Sequence, residues 1–427
     1  LRLGEQAALL RFGPSLTHGD PDDLGLLYYA GGREWTYDLG YGLGSTHTHV
    51  GWASSTVSHC LVAVNERDQL HGPGSGGGLL FLADLPRLQA ARATSELSYA
   101  SEEVSQYQRT AALTDAGYLV DFFRVKGGTQ HDYSFGSFGQ GMEPFGVPEL
   151  ASRPGSLAEG VAWGERILPD GDIEGYPNKP YWDPPPGNGY GFFYNVRRGQ
   201  PEAAWGAVWQ APDEPRGRFR VHVAAPEAEA IFAGAPGLYP SKPDAAYLLA
   251  RRTGEAPLES RYAAVWEPFA IAEDGLHPHI ASVRAPAPNV VEVHLEDGAL
   301  EVFIDGPCHT RTACGRIRFN GAFAHLVSDG AQIRRADLVA CALLEQDGTV
   351  LDDGPAAFSA TVAGVNLEER AVRVDADAPE DVAGRVAIFS NPKWTRTSAY
   401  HIAGTAGDRI HLEASTLLLG RGQVREV

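Results

Sequence analysis

Cysteine is scarce. Cys60, Cys308, Cys314 and Cys341 are the only four in 427 residues, and their spacing matches no zinc ribbon. Cys308 and Cys314 are spaced to close a small loop, but buried free thiols are the expected state. Positive charge is also short: 35 Lys and Arg stand against 54 Asp and Glu, for a formal charge of −19. That balance argues against a nucleic-acid partner, because a polyanion needs clustered Lys and Arg. An acidic polysaccharide is not excluded, since only the field inside a cleft has to be neutral or positive. No apolar run reaches the roughly 18 residues of a membrane span, and the front of the chain carries no signal peptide. Long amphipathic helices and internal repeats are missing as well.

What is abundant is glycine (50) and proline (29), with 10% aromatic residues. Asp-Gly and Gly-Gly turn signals recur between short apolar runs, which indicates an all-β protein. The expected architecture is a large antiparallel β-sandwich over residues 1–355, followed by a small C-terminal β-domain over 356–427. Val290 to Leu295, Asp297-Gly298 and Ala299 to Ile304 read as a hairpin, and Asp329-Gly330 and Asp347-Gly348 as further turns. Ala371 to Val374, Arg385 to Phe389 and Arg409 to Leu412 read as short strands of the final piece. The chain opens on Leu1 rather than Met, which is expected of a portion of a longer protein.

The most informative stretch runs from His18 to Gln69. Leu1 to Phe12 reads as an edge strand leading into it. Leu24 to Ala30 is largely apolar, Gly31-Gly32 supplies a two-residue turn, and Arg33 to Tyr37 returns. His18 precedes this hairpin and Asp38 follows it. Equal antiparallel arms bring their outer ends together, so imidazole and carboxylate are expected to be neighbours. His59 then opens a strand over Cys60 to Val64. His47 and His49 share a face if their segment is extended, as a chelating pair would. The glycine-rich loop from His71 to Gly78 lacks the ending of a phosphate cradle and reads as a connector.

A second block, Tyr118 to Tyr133, contains two strands separated by Gly127-Gly128 and reads as another hairpin. Alternation places His131, Tyr133 and Phe135 on one face and Asp132 and Ser134 on the other. The first face suits a sugar; equally, His131 is a buried histidine satisfied by a backbone carbonyl. Pro180 to Tyr194 is stiffened by proline and rich in rings. Trp182 and Tyr190 there are either held ready to stack on pyranose faces or cover one end of the sandwich.

The order His18-Gly19-x-x-Asp22, a strand pair, Asp38-x-Gly40-Tyr41, then Ser58-His59-x-x-Val62-x-Val64 resembles the sandwich domain of the heparinase II/III family of polysaccharide lyases. The block from Tyr118 to Tyr133 is similar to that family's later signature. The resemblance implies a supersandwich-like fold and a secreted or periplasmic enzyme that cleaves a uronate-containing polysaccharide by β-elimination. It implies catalytic roles for His18 and His131; Tyr133, Trp182 and Tyr190 are the candidate substrate contacts on their aromatic character alone. Asp38 and His59 match positions that bind a structural zinc in some members, together with a second histidine. Asp20 replaces that histidine here. Asp20, Asp38 and His59 either hold one divalent ion, zinc or manganese, or Asp38 only fixes the His59 tautomer while Asp22 and Asp23 face solvent.

Elimination removes the proton on C5 of a uronate and expels the oxygen on C4. The substrate carboxylate must be neutralised as negative charge builds on it, and an acid and a base must move protons. The resemblance implies that the tyrosine base comes from a helical toroid in front of the sandwich. Nothing in these 427 residues reads as that toroid. A non-catalytic carbohydrate-binding or scaffolding sandwich is the alternative. A hydrolase would instead need two facing carboxylates, for which Asp20, Asp22 and Asp23 are candidates.

Overall fold

The computed structural model describes residues 1–16, 19–40, 49–161, 188–237, 242–272, 275–276, 278–307, 311–354, 357–393 and 397–413. The fold is all-β, and the strands within its sheets pair antiparallel. Two large sheets dominate. A six-stranded sheet runs in the order Ala151–Ser152, Tyr194–Gly199, Glu229–Ala235, Ala245–Thr253, Gln130–Ser137 and Val62–Val64. The facing nine-stranded sheet has Glu259–Ala272, Leu119–Lys126 and Gln106–Thr114 at its centre. Their inner faces meet in one core that includes Phe135, Phe232 and Leu248 from the first and Phe123, Phe219 and Trp266 from the second. Phe135 stacks on Phe219 with ring centroids 5.8 Å apart and meets Trp266 edge-on at 4.8 Å, the offset and perpendicular geometries that aromatic quadrupoles favour.

The N-terminal residues form a four-stranded sheet, Arg2–Leu3, Gln6–Leu10, Leu26–Ala30 and Arg33–Glu34. The first twelve residues are therefore a tight hairpin, turned at Gly4 with φ 59°, and not one edge strand. Gly31 and Gly32 have φ of 58° and 81°, which is the turn the sequence indicated. Alternate side chains Leu26 and Tyr28 enter the main core.

The block around Gly127-Gly128 is not a hairpin. Leu119–Lys126 pairs with Gln106–Thr114 and Glu259–Ala272, whereas Gln130–Ser137 pairs with Val62–Val64 and Ala245–Thr253 in the opposite sheet. The chain arches from one sheet to the other. Gly127, at φ 137°, passes so close to Val104 that a Cβ there would lie 2.6 Å from its Cα. Both strands are interior to their sheets and buried over nearly all their length, so each finds its partners elsewhere.

Residues 280–352 build a five-stranded and a four-stranded sheet of their own. The hairpin of Val290–Leu295 and Leu300–Asp305 and the turns at Asp329-Gly330 and Asp347-Gly348 stand where the sequence indicated. Val291, Phe303 and Phe323 of this unit pack on Phe122 and Val265, from the outer face of the nine-stranded sheet. The last five strands, between Val362 and Leu412, form a separate sheet, and Thr397 Oγ1 accepts the Leu79 N–H at 2.8 Å, tying this unit to the sandwich edge. Cys60, Cys314 and Cys341 are buried free thiols; Cys308 lies outside the described residues.

Candidate functional site

Pairing of Gln6–Leu10 with Leu26–Ala30 brings Arg11, just past one strand, beside Asp22 and Asp23, just before the other. Leu24 N–H donates to Arg11 O at 2.9 Å and Arg11 N–H to Gly25 O at 3.0 Å, closing the loop base. Asp23 is fully buried rather than facing solvent. Its Oδ1 accepts from Arg11 Nη1 at 3.0 Å, and its Oδ2 accepts from Ser98 Oγ at 2.6 Å and Ser95 Oγ at 3.1 Å. Gln69 completes the lock, accepting the Asp23 N–H at 2.7 Å and donating to Asp23 O at 2.9 Å. Asp22 turns the other way, with Oδ1 2.6 Å from Arg11 Nη1 but without an aligned hydrogen bond. Burial pushes its carboxyl up to about 6, against the opposing pull of His59 and Arg11.

His59 does not open a strand. It caps the single 3-10 turn Thr56–Ser58, and the strand begins at Val62. Its Nδ1 lies 3.0 Å from Ser55 O; a carbonyl only accepts, so Nδ1 carries a proton. Nε2 is thereby directed at Asp20, 3.8 Å from its Oδ2. Burial lowers the His59 pKa, but Asp22, Asp38 and Asp20 outweigh it and the net shift is upward. Asp20 is raised, chiefly by burial. Asp68, whose Oδ1 accepts the Thr56 N–H at 2.8 Å, is pushed by burial to about 6. The result is an imidazole that holds its proton more tightly than a free one, beside the Asp20, Asp22 and Asp68 carboxyls that burial raises.

Asp38 stands at the half-exposed side of this cluster. Its Oδ1 accepts the Gly40 N–H at 2.7 Å, and its carbonyl accepts from Lys242 Nζ. Asp20 and Asp38 both act electrostatically on His59. His18 and His47 lie outside the described residues. His49 begins the π-helical turn His49–Ala53 rather than lying in a strand, and is buried. Beneath the cluster, Arg109 is wholly buried and binds both sides: Nη1 donates to Leu24 O at 2.7 Å and to Cys60 O, while Nε and Nη2 fork onto Asp121 at 2.8 and 2.7 Å.

The second block lies elsewhere. His131, Tyr133 and Phe135 do share a face, and that face points into the core between the sheets instead of a groove. His131 Nδ1 is 2.7 Å from Ser260 Oγ and Nε2 is 2.8 Å from Gly127 O. Burial lowers its pKa to about 4, so the ring is neutral at ordinary pH and neither nitrogen is open to a solute. Tyr133 is likewise enclosed and donates to Asp121 Oδ2 at 2.7 Å. Tyr190 is buried and donates to Asp132 Oδ2 at 2.7 Å, where Arg251 forks onto the same carboxylate at 2.7 and 2.8 Å. Phe193 meets Trp52 edge-on at 5.0 Å, so the 190–193 rings cover the outer face of the six-stranded sheet. Trp182 lies outside the described residues.

Among the described residues no group of three or more His, Cys, Asp or Glu side chains is placed to hold an ion; Asp38 Oδ1 accepts the Gly40 N–H, and His59 Nε2 stands 3.8 Å from Asp20 Oδ2. Motif reading alone does not mark Arg11, Asp68 and Lys242 as members of the cluster, nor Asp22 as its strongly raised carboxyl. The signal for Arg11 and Asp22 is their position at the matching ends of two strands that pair.

No family model matches the sequence, and no curated protein does. Solved structures align with it. A heparinase III gene product matches at 12% identity and a TM-score of 0.41, covering 78% of this chain and 39% of its own. A heparan sulfate lyase from Pedobacter heparinus matches at 10% identity and a TM-score of 0.37, covering 68% and 38%. A further heparinase III matches at 12% identity and a TM-score of 0.39, covering 77% and 36%. The chain therefore spans under two fifths of the length of these proteins.

Proposed function

We propose that this chain is the sandwich portion of a polysaccharide lyase that cleaves a uronate-containing acidic polysaccharide by β-elimination. The observation that carries the reading is the gathering of Asp20, Asp22 and Asp38 around His59, with the Asp22 carboxyl pushed up to about 6. Three ionised aspartates would repel a uronate. A carboxyl that, like Asp22, keeps a proton in mildly acidic solution donates a hydrogen bond to the substrate carboxylate instead, and strengthens it as charge builds there. Asp20, with its side chain 20% exposed, is the member best placed to reach a sugar. His59 is a positioning residue, its Nε2 turned to Asp20 while its Nδ1–H is anchored on Ser55. His18, two residues before Asp20 in the chain, is assigned the proton transfer or carboxylate neutralisation that its motif implies. The tyrosine that abstracts the C5 proton is assigned to a helical domain acting with this sandwich, and secretion or periplasmic location follows from the same reading.

A non-catalytic glycan-binding sandwich is the second reading. It is favoured by the burial of His131, Tyr133 and Tyr190, which leaves the second block without a reactive group at the surface. Incubation with alginate, heparan sulfate and chondroitin sulfate, with and without a helical domain supplied by the same protein, separates the two. Elimination leaves an unsaturated product that absorbs in the ultraviolet. Glycan binding with no such product under either condition would sink the lyase reading and leave the binding one.

A further inference from the structure

At the edge of the six-stranded sheet, Ala151–Ser152 pairs with Tyr194–Gly199, with Ser152 opposite Arg197. The second of these strands is bulged between Tyr194 and Arg197, and Asn195 in the bulge has φ 51° and stands exposed. Two adjoining depressions, of about 480 and 520 Å³, share Arg153 and Asn195. Arg197 and Met142 line the first and Tyr194 and Asp244 the second.

The two arginines differ from their neighbour Arg198, which forks onto Glu229. Among the described residues, neither Arg153 nor Arg197 has an ion pair or a side-chain hydrogen bond, and both are half-buried. The carboxylate of the rim, Asp244, is occupied: it accepts from Tyr194 OH at 2.7 Å and from the Gly237 N–H at 2.9 Å. In a chain of net charge −19, this leaves a locally positive groove, and low-dielectric walls strengthen such a field. Guanidinium forks match carboxylate and sulfate oxygens two at a time. The Asn195 amide has both donors and an acceptor for ring hydroxyls, and Met142 with the Tyr194 ring offers an apolar surface to sugar C–H groups.

Two strands of the six-stranded sheet, Glu229–Ala235 and Ala245–Thr253, separate the groove from the strand beside Tyr37 and Asp38, and the segment 242–244 runs between the two regions. Lys242 binds Asp38 O, and Tyr37 OH donates to Pro243 O at 2.9 Å. Asp244 at the groove rim is two residues further, a chain distance of no more than about 7 Å. We propose that Arg153, Arg197 and Asn195 form a subsite for the carboxylate or sulfate of an acidic sugar unit, distinct from the aspartate cluster. The assignment rests on the reading that the chain binds an acidic glycan, and is independent of whether it cleaves one.

Calorimetric titration of the protein with heparan sulfate and alginate oligosaccharides, with a neutral cello-oligosaccharide and with sodium sulfate tests it. The R153Q/R197Q double variant is expected to bind the acidic oligosaccharides more weakly, by about tenfold for each guanidinium removed. R153K/R197K should recover part of that affinity, since lysine keeps the charge but not the fork. Circular dichroism melting checks that both variants fold. Unchanged affinity in R153Q/R197Q overturns the subsite, as does equal binding of the neutral oligosaccharide. Sodium sulfate binding as tightly as the oligosaccharides, with the same dependence on both arginines, would reduce the groove to a site for free inorganic anions and overturn the glycan assignment. Product formation is scored separately. Its absence, with acidic binding still dependent on the arginines, removes the elimination reading and supports the subsite; its presence, with affinity unchanged in R153Q/R197Q, removes the subsite alone.

Discussion

Replacing Asp22 by asparagine separates what the cluster costs the fold from what it offers a substrate. Burial raises the Asp22 carboxyl from 3.8 to about 6, so the native state binds its proton more tightly than the unfolded chain does. A carboxyl shifted upward favours folding while protonated, and that contribution is lost as pH rises from about 4 to about 6. Above that window the ionised group opposes folding by about 3 kcal/mol, at 1.36 kcal/mol per pH unit. His59, also raised, acts in the same direction, because its bound proton is lost as pH rises through its folded value. Asparagine carries no titrating proton. The shift to about 6 already includes the pull of Arg11, 2.6 Å away, so no further loss is subtracted for that ion pair. D22N is therefore expected to be more stable than the parent by about 3 kcal/mol near pH 8, with the advantage gone near pH 4. Urea unfolding followed by tryptophan fluorescence at the two pH values reads this directly. A stability difference that does not change with pH, or a D22N protein less stable near pH 8, would refute the account of the cluster as a buried acid store. Under the lyase reading the same variant loses turnover, since an amide cannot hold the proton offered to the substrate.

Removing the Asp121 charge should be far more damaging. D121N leaves Arg109 charged and wholly buried beneath the site, which costs about 3–5 kcal/mol, whereas R109M/D121L removes both charges and recovers most of that loss in the same urea assay. H131N is expected to lower stability by about 1–3 kcal/mol, because the buried Ser260 hydroxyl or Gly127 carbonyl loses its partner. Glycan affinity and any turnover should persist in H131N; their loss in a fully folded variant would restore a direct catalytic role. H18A should abolish turnover with little change in melting temperature, and retained activity would remove His18 from the site.

Much of the strand pattern was legible because the turns announce themselves chemically. Gly31-Gly32 and Asp347-Gly348 occupy the positive φ angles that only a few residues tolerate, and the alternation of His131, Asp132 and Tyr133 gave the correct shared faces. What alternation does not tell is which face meets solvent when a strand is buried on both. Gln130–Ser137 is such a strand, so the face that suited a sugar is interior. Gly127-Gly128 misled for a related reason: a pair of glycines permits a sharp reversal, but whether the reversal joins neighbours in one sheet or crosses between two depends on partners distant in sequence. Asp22 and Asp23 read as solvated because the groups that retain them, Arg11, Ser95 and Ser98, are brought in by tertiary pairing. The hairpin of matched arms from Leu26 to Glu34 was legible from its Gly31-Gly32 turn, whereas the neighbour expected of Asp38, His18, lies outside the described residues.

Cys60 offers its carbonyl to the arginine under the site and points its Sγ at Gly136 O, 3.5 Å away, in surroundings that push the thiol up to about 12. Alkylating reagents act on thiolate, so in the native protein this sulfur is silent. Its labelling rate accordingly serves as a clock for how often the sheet corner behind His59 comes apart, readable by mass spectrometry on the Cys60 peptide after digestion, without any substrate in hand.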